Sequence, residues 1–157
     1  MISAHNKGGE CSIQFNEEIS VTNDAAWCRE EIRRATEKLA AERGGGIDYP
    51  TDVLFQAVCM ARENHWTWAR MEKLLDIIVQ VLDFERENPM CTMEHSFHNF
   101  KQRLLLFSCE RPPWTIGLYT KEHVQKITEF IMAHHFRHFR VHKHLLKLQT
   151  EKLQLVS

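Results

Sequence analysis

The C-terminal stretch of the chain, from Thr120 to Ser157, contains neither glycine nor proline. Counted in heptads from Val124, seven of its ten a and d positions are aliphatic. Glycine and proline are the residues that most readily end a helix, so this uninterrupted spacing predicts one long amphipathic helix over residues 121–155. A second apolar stripe lies one residue over, at Met132, Phe136, Phe139, Leu146 and Leu153. The apolar face is therefore broader than a two-stranded coiled coil requires, which favours docking onto other helices of the chain or onto another protein.

The remainder of the chain also favours helices. The whole chain of 157 residues includes only 6 glycines and 4 prolines, a composition unlike that of a turn-rich β-sandwich. We therefore expect an all-α fold: a small helical bundle with an N-terminal helical arm and a long, coiled-coil-like C-terminal helix. The expected segments are a flexible tail over 1–22, a helical arm over 23–46 ending in a glycine hinge, a helical core over 47–111, and a Pro-Pro lead-in with the long helix over 112–157.

Capping residues indicate where individual helices begin and end. Thr22 or Asn23 is expected to open the first helix, which Gly44–Gly46 would end. Pro50 is expected to begin the second helix, and Thr120 to cap the last. Two adjacent apolar stripes predict a central core helix, at Met71, Leu75, Ile78 and Leu82 and at Leu74, Ile77, Val81 and Phe84.

Charge is distributed unevenly along the chain. Residues 121–157 carry a net charge of +4, whereas residues 1–120 carry −5. This asymmetry predicts docking to an acidic partner, either a protein helix or an acidic cytoskeletal surface, although a solvated helix face would show the same pattern. An anionic nucleic-acid or lipid surface is the alternative partner. The residues predicted to bind the partner are Val124, Ile127, Ile131, His134, Phe136, Arg137, His138, Phe139, Arg140, Val141, Lys143, Leu145 and Leu148.

Two histidine clusters are compatible with metal binding but do not require it. His134, His138 and His142 follow i, i+4 spacing, yet no glutamate lies between them to serve as a general base. Cys91, with His95 and His98, would be the centre of a small metal-dependent enzyme, the less favoured alternative. Soft packing residues explain this region equally well. We therefore predict a non-enzymatic protein with no catalytic residue, no metal site and no cofactor.

The location predicted from the sequence is cytoplasmic. No run of apolar residues is long enough to cross a bilayer, and the first residues lack the apolar core of a secretory signal. The five cysteines are odd in number and scattered, which favours free thiols in a reducing compartment.

One stretch of the chain resembles a known family. The sequence Pro112-Pro113-Trp114-Thr115-Ile116-Gly117-Leu118-Tyr119 precedes a helix that carries Phe136-Arg137-His138-Phe139. This arrangement, over about residues 112–146, resembles coiled-coil-domain proteins associated with cilia and flagella. The resemblance implies a structural role in the ciliary or flagellar axoneme and transfers no catalytic residue.

Overall fold

The computed structural model describes residues 13–108 and 118–141. Over those ranges the chain forms α-helices and short 3-10 turns, without a β-strand. The predicted all-α fold is confirmed. The α-helices are α1 (Ala25–Glu42), α2 (Thr51–Glu63), α3 (Trp68–Glu87), α4 (Met93–Leu106) and α5 (Lys121–His134), and the 3-10 turns are Glu17–Ser20 and Phe136–His138. No helix in these ranges is both long enough and apolar enough to cross a membrane.

The chain divides into two compact units, Met1–Val79 and Gln80–Ser157. The boundary falls within α3, which contributes residues 68–79 to the first unit and 80–87 to the second. The segment boundaries expected from the sequence at residues 22, 46 and 111 remain a prediction.

The first unit begins with a short segment that contributes to its core. Ile13, Phe15 and Ile19 are all buried, although the sequence places them in a flexible tail. Asn16 caps the 3-10 turn by accepting a hydrogen bond from the Glu18 amide. Residues 13–22 are therefore held by apolar burial, while residues 1–12 lie outside the described part of the chain.

Helix α1 begins and ends with recognisable caps. Its N-cap is Asp24, whose carboxylate accepts from the Trp27 amide at 3.0 Å, so the expected opening at Thr22 or Asn23 is wrong by one or two residues. The Thr22 hydroxyl instead accepts from the Asp24 amide. At the other end, Gly44 has a φ of +96° and its amide bonds Ala41 O. The predicted glycine C-cap is confirmed.

Helix α2 is also followed by a residue with a positive φ, but that residue is a histidine rather than a glycine. Pro50 precedes its first turn, as predicted. At its end His65 has a φ of +56°, while the Trp66 amide bonds Ala61 O at 3.0 Å. A Cβ clashes with the backbone in this left-handed conformation, so the exposed His65 carries strain that glycine would avoid.

Helix α1 packs directly on helix α2. The Arg29 guanidinium lies 4.2 Å from the centroid of the Phe55 ring and is paired with Asp52. Arg62 of α2 donates to the Thr22 carbonyl. The α1 side of the contact buries Cys28, Ile32 and Leu39. The predicted arm helix thus belongs to the core of the first unit.

Helix α3 is buried along most of its length. Of the two predicted stripes, seven residues are buried and Phe84 is partly buried. A helix with so broad an apolar face must be covered by other elements. The prediction of a central core helix is confirmed.

The second unit does not contain the single long helix predicted from Thr120. Thr120 does cap α5, since its hydroxyl accepts from the His123 amide and its own amide donates to His123 Nδ1 at 3.0 Å. Helix α5 then ends at His134, and a 3-10 turn follows. The prediction of an unbroken helix is therefore wrong at residues 135–138, and residues 142–157 lie outside the described part.

Relief of the strain at residue 65 is expected to stabilise the protein. We expect His65→Gly to raise the free energy of unfolding by about 0.5–1 kcal/mol, because glycine adopts a positive φ without a steric cost. Urea denaturation with an unchanged m-value is the measurement. His65→Ala is the control, since it keeps the Cβ and should bring no gain. Equal stabilisation by both variants would contradict the assignment.

The buried Cys28 thiol is expected to react slowly. Burial raises its pKa, and the neighbouring Cys59 raises it further. Because the thiolate is the reactive form, iodoacetamide at pH 8 should modify Cys28 at least about tenfold more slowly than the partly buried Cys91. Peptide mass spectrometry measures both rates, and denaturation in guanidinium should make them equal. Similar rates in the native protein would show that Cys28 is accessible.

Candidate functional site

A buried glutamate joins three parts of the second unit. Glu85 of α3 is fully buried, and its carboxylate faces His135, which follows α5. His135 Nε2 lies 3.0 Å from Oε1 and 2.9 Å from Oε2 of Glu85. The Ser96 hydroxyl of α4 donates to Oε2. We call these three residues the Glu85 clasp.

The clasp satisfies a group that would otherwise be costly to bury. A carboxylate in an apolar interior needs hydrogen-bond donors or a positive partner. A carboxylate only accepts hydrogen bonds, and His135 can donate to it through an Nε2–H. The two oxygens share that donor, and Ser96 supplies a second. The arrangement ties α3, α4 and the end of α5 together through one side chain.

The backbone at His135 explains how the ring reaches Glu85. His135 has φ −122° and ψ −61°, outside the helical range, while its amide still bonds Ile131 O at 2.9 Å. Ile127, Ile131 and His135 follow i, i+4 spacing and are all buried. The inward face of α5 therefore ends on a histidine, and the helix stops there.

The clasp is not arranged for nucleophilic catalysis. In a serine hydrolase the histidine lies between the serine and the acid, so that it can take the hydroxyl proton. Here the carboxylate lies between Ser96 and His135, and both of those side chains are buried. Ser96 donates its hydrogen bond to the Glu85 carboxylate rather than to the histidine ring. The geometry is that of a structural polar network.

Aromatic rings surround the turn that follows the clasp. Phe136 lies 5.5 Å from Phe97 in an edge-on contact, 6.3 Å from Phe100 and 6.2 Å from Phe139, between ring centroids. A 3-10 turn has three residues per turn, so residues 136 and 139 share a face. Both rings are buried on that face.

The opposite face of the turn is exposed and basic. Arg137, His138 and Arg140 are exposed, as is Val141. These residues border a cavity of about 430 Å³, together with Met93 and Glu94 of α4. Neither arginine forms an ion pair within residues 13–108 and 118–141. We call Arg137, His138 and Arg140 the basic turn.

The structure separates the predicted partner-binding residues into three groups. Ile127, Ile131, Phe136 and Phe139 are buried within the second unit, and Val124 is partly buried. The exposed residues are His134, Arg137, His138, Arg140 and Val141. Lys143, Leu145 and Leu148 lie outside the described residues. Among the described members, the exposed group is the one most accessible to a partner, and its role in binding stays a prediction.

The alternative centre at Cys91 has no assembled ligand set. Cys91 lies in the turn before α4, where its amide bonds Asn88 O, while His95 and His98 are exposed on α4. Across residues 13–108 and 118–141, no three His, Cys, Asp or Glu side chains are grouped so as to hold a metal ion.

Sequence reasoning missed the clasp, although its members leave a signal. Glu85 follows Ile78 and Leu82 at i+7 and i+3, so it continues a buried stripe of α3. His135 likewise continues the line of Ile127 and Ile131. An acid and a histidine that each extend an apolar stripe are candidates for a buried pair.

The part of the chain that builds this site also carries its family relationship. The family model of CLAMP, described as flagellar C1a complex subunit C1a-32, matches residues 56–154. The chain belongs to the CLAMP family. The match covers more than half of the chain and includes α3, α4, α5 and the basic turn. No curated protein sequence matches the chain significantly.

Membership of the CLAMP family decides several predictions. The resemblance to cilia- and flagella-associated proteins is confirmed, and so is the assignment to the cilium or flagellum. The Phe136 and Phe139 side chains on which that resemblance rests are core residues in the structure.

Loss of the Glu85 carboxylate is expected to destabilise the protein strongly. Glu85→Ala removes the acceptor of both Ser96 and His135, so we expect the free energy of unfolding to fall by about 3 kcal/mol. Urea denaturation measures the change. Glu87→Ala, two residues on at an exposed position, is the control and should cost less than about 0.5 kcal/mol. Equal effects of the two variants would show that the clasp contributes nothing to stability.

Proposed function

We propose that the protein is a non-enzymatic structural subunit of the flagellar axoneme that attaches to its protein partners through the basic turn and the residues after it. The family description, a subunit of the flagellar C1a complex, supports assembly with other proteins. The observation that carries the proposal is the position of the basic turn, which is exposed and lies within the family match.

Electrostatics supports an acidic partner surface. No acidic residue occurs between Glu129 and Glu151, whereas Arg137, Arg140, Lys143 and Lys147 fall in that interval. Such a concentration of one sign of charge accelerates encounter with a complementary surface and orients it.

The arrangement of the three clasp side chains also supports a structural role rather than a catalytic one. Ser96, Glu85 and His135 are the buried polar residues closest to a catalytic composition in the described part of the chain, and they are arranged to stabilise packing. A subunit that holds other proteins in place needs a rigid site rather than a reactive one.

Charge reversal in the basic turn tests the proposal. In ciliated cells, the triple variant Arg137→Glu/Arg140→Glu/Lys143→Glu should reduce incorporation of the tagged full chain into isolated axonemes at least about tenfold, because it reverses the attraction to an acidic surface. Quantitative immunoblotting of axonemal and soluble fractions measures the ratio.

The matched control reverses three other exposed lysines of the second unit, Lys101→Glu/Lys121→Glu/Lys126→Glu. It changes the net charge equally and should leave incorporation unchanged. Equal loss in both variants would assign the effect to total charge, and normal incorporation of the basic-turn variant would refute docking through this segment. Loss of binding that nuclease treatment of the wild type reproduces would indicate a nucleic-acid partner instead.

A further inference from the structure

An apolar groove lies beside the basic turn. It has a volume of about 640 Å³ and runs between the start of α4 and the outer face of α5. We call it the methionine groove. Its lining is Met93, Thr128, Glu129, Met132, Ala133, Phe136 and Arg137. The 430 Å³ cavity shares Met93, Phe136 and Arg137 with it, so the two cavities are adjacent, and we refer to the pair as the depression.

The groove has the size and chemistry of a binding site. Its volume of about 640 Å³ falls within the range of clefts that hold ligands. Met93 is 39% exposed and Met132 is 41% exposed, and almost all of the lining surface is apolar. Exposed methionines are flexible and polarisable, so they adapt to apolar side chains of different shapes. A helix that inserts apolar residues is the usual occupant of such a groove.

Charge at the margin restricts the occupant further. Arg137 borders both parts of the depression, and Arg140 borders the smaller part. Neither guanidinium has a carboxylate partner within residues 13–108 and 118–141. Glu94 lines the smaller cavity together with both arginines, and Glu129 lines the larger one together with Arg137, so the glutamates would exclude acidic groups only where they themselves lie. An occupant with acidic residues beside its apolar face would pair with the arginines, whereas a basic one would be repelled there.

We propose that the methionine groove binds one amphipathic helix of a partner protein, with apolar residues against Met93 and Met132 and acidic residues against Arg137 and Arg140. This inference rests on the proposed function and specifies the partner: a helix with an apolar stripe flanked by glutamate or aspartate. Burial of the stripe supplies affinity, and the arginine contacts set orientation.

A synthetic helix tests the groove on the full chain. The probe is a fluorescein-labelled 18-residue peptide with leucine at i, i+3, i+4 and i+7 spacing and glutamate on both flanks. Fluorescence anisotropy should show saturable binding that weakens as salt increases. Two further peptides serve as comparisons: one replaces every glutamate with lysine, and the other scrambles the leucine positions. Both should bind at least about tenfold more weakly.

Variants of the protein assign the binding to the groove. Met132→Glu places a charge in the apolar lining and should weaken the binding of the acidic peptide at least about tenfold. Leu106→Glu is the matched control, because Leu106 is an exposed apolar residue of the same unit that lines neither cavity. Arg137→Gln/Arg140→Gln should weaken binding about threefold or more and flatten its salt dependence. Circular dichroism and thermal unfolding verify that the variants are folded.

Several outcomes would overturn the proposal. These are absence of binding by the acidic peptide, equal binding of the lysine peptide, and equal effects of Met132→Glu and Leu106→Glu. A dimer of the full chain that Met132→Glu converts to a monomer would assign the groove to a second copy and also overturn it. If peptide binding fails while axonemal incorporation still depends on the basic turn, the proposed function survives without the groove. If peptide binding succeeds while incorporation is independent of the turn, the proposed function fails.

Discussion

The pairing of Glu85 with His135 is the interaction on which the second unit depends. A fully buried carboxylate is tolerated only where donors surround it, and here they come from α4 and from the residue after α5. His135 lies four residues after Ile131 on the buried face of α5, and the helix ends one residue before it, at His134. The 3-10 turn then buries Phe136 and Phe139 while leaving Arg137 and Arg140 exposed. The second unit thus buries the clasp and two aromatic rings on one side of this segment and leaves its arginines on the other.

Burial inside the second unit also limits how much apolar surface the C-terminal segment offers to a partner. In a continuous helix the apolar seam from Val124 onward would present one long stripe to a partner. The structure instead uses Ile127, Ile131 and Phe136 within the unit. What remains outside is smaller and more specific: a groove lined by methionines with two arginines at its edge. Under the proposed function, the buried residues provide rigidity and the exposed ones provide selectivity.

Much of the helical framework could be predicted because its signals are local. Pro50, Gly44 and Thr120 act through backbone groups within a few residues, so their effects follow from sequence alone. The broad stripes of α3 predicted its burial for the same reason. The strained end of α2 was less predictable, since a histidine at residue 65 takes a conformation that normally selects glycine. The burial of Ile13, Phe15 and Ile19 was not predicted either, because so short an apolar segment is stabilised only by the residues that pack on it.

The sequence by itself determined that the chain is helical, where α1 ends and where α2 and α5 begin, and that positive charge collects after residue 136. These properties arise from intrinsic propensities, caps and composition, each of which acts over one or two turns. Only the tertiary structure decided that the last helix breaks at His135 and that part of the apolar stripe from Val124 onward is buried within the second unit. Residues 85 and 135 are 50 positions apart. Local preferences do not encode this contact, because the donor that the buried carboxylate needs lies far away in the sequence.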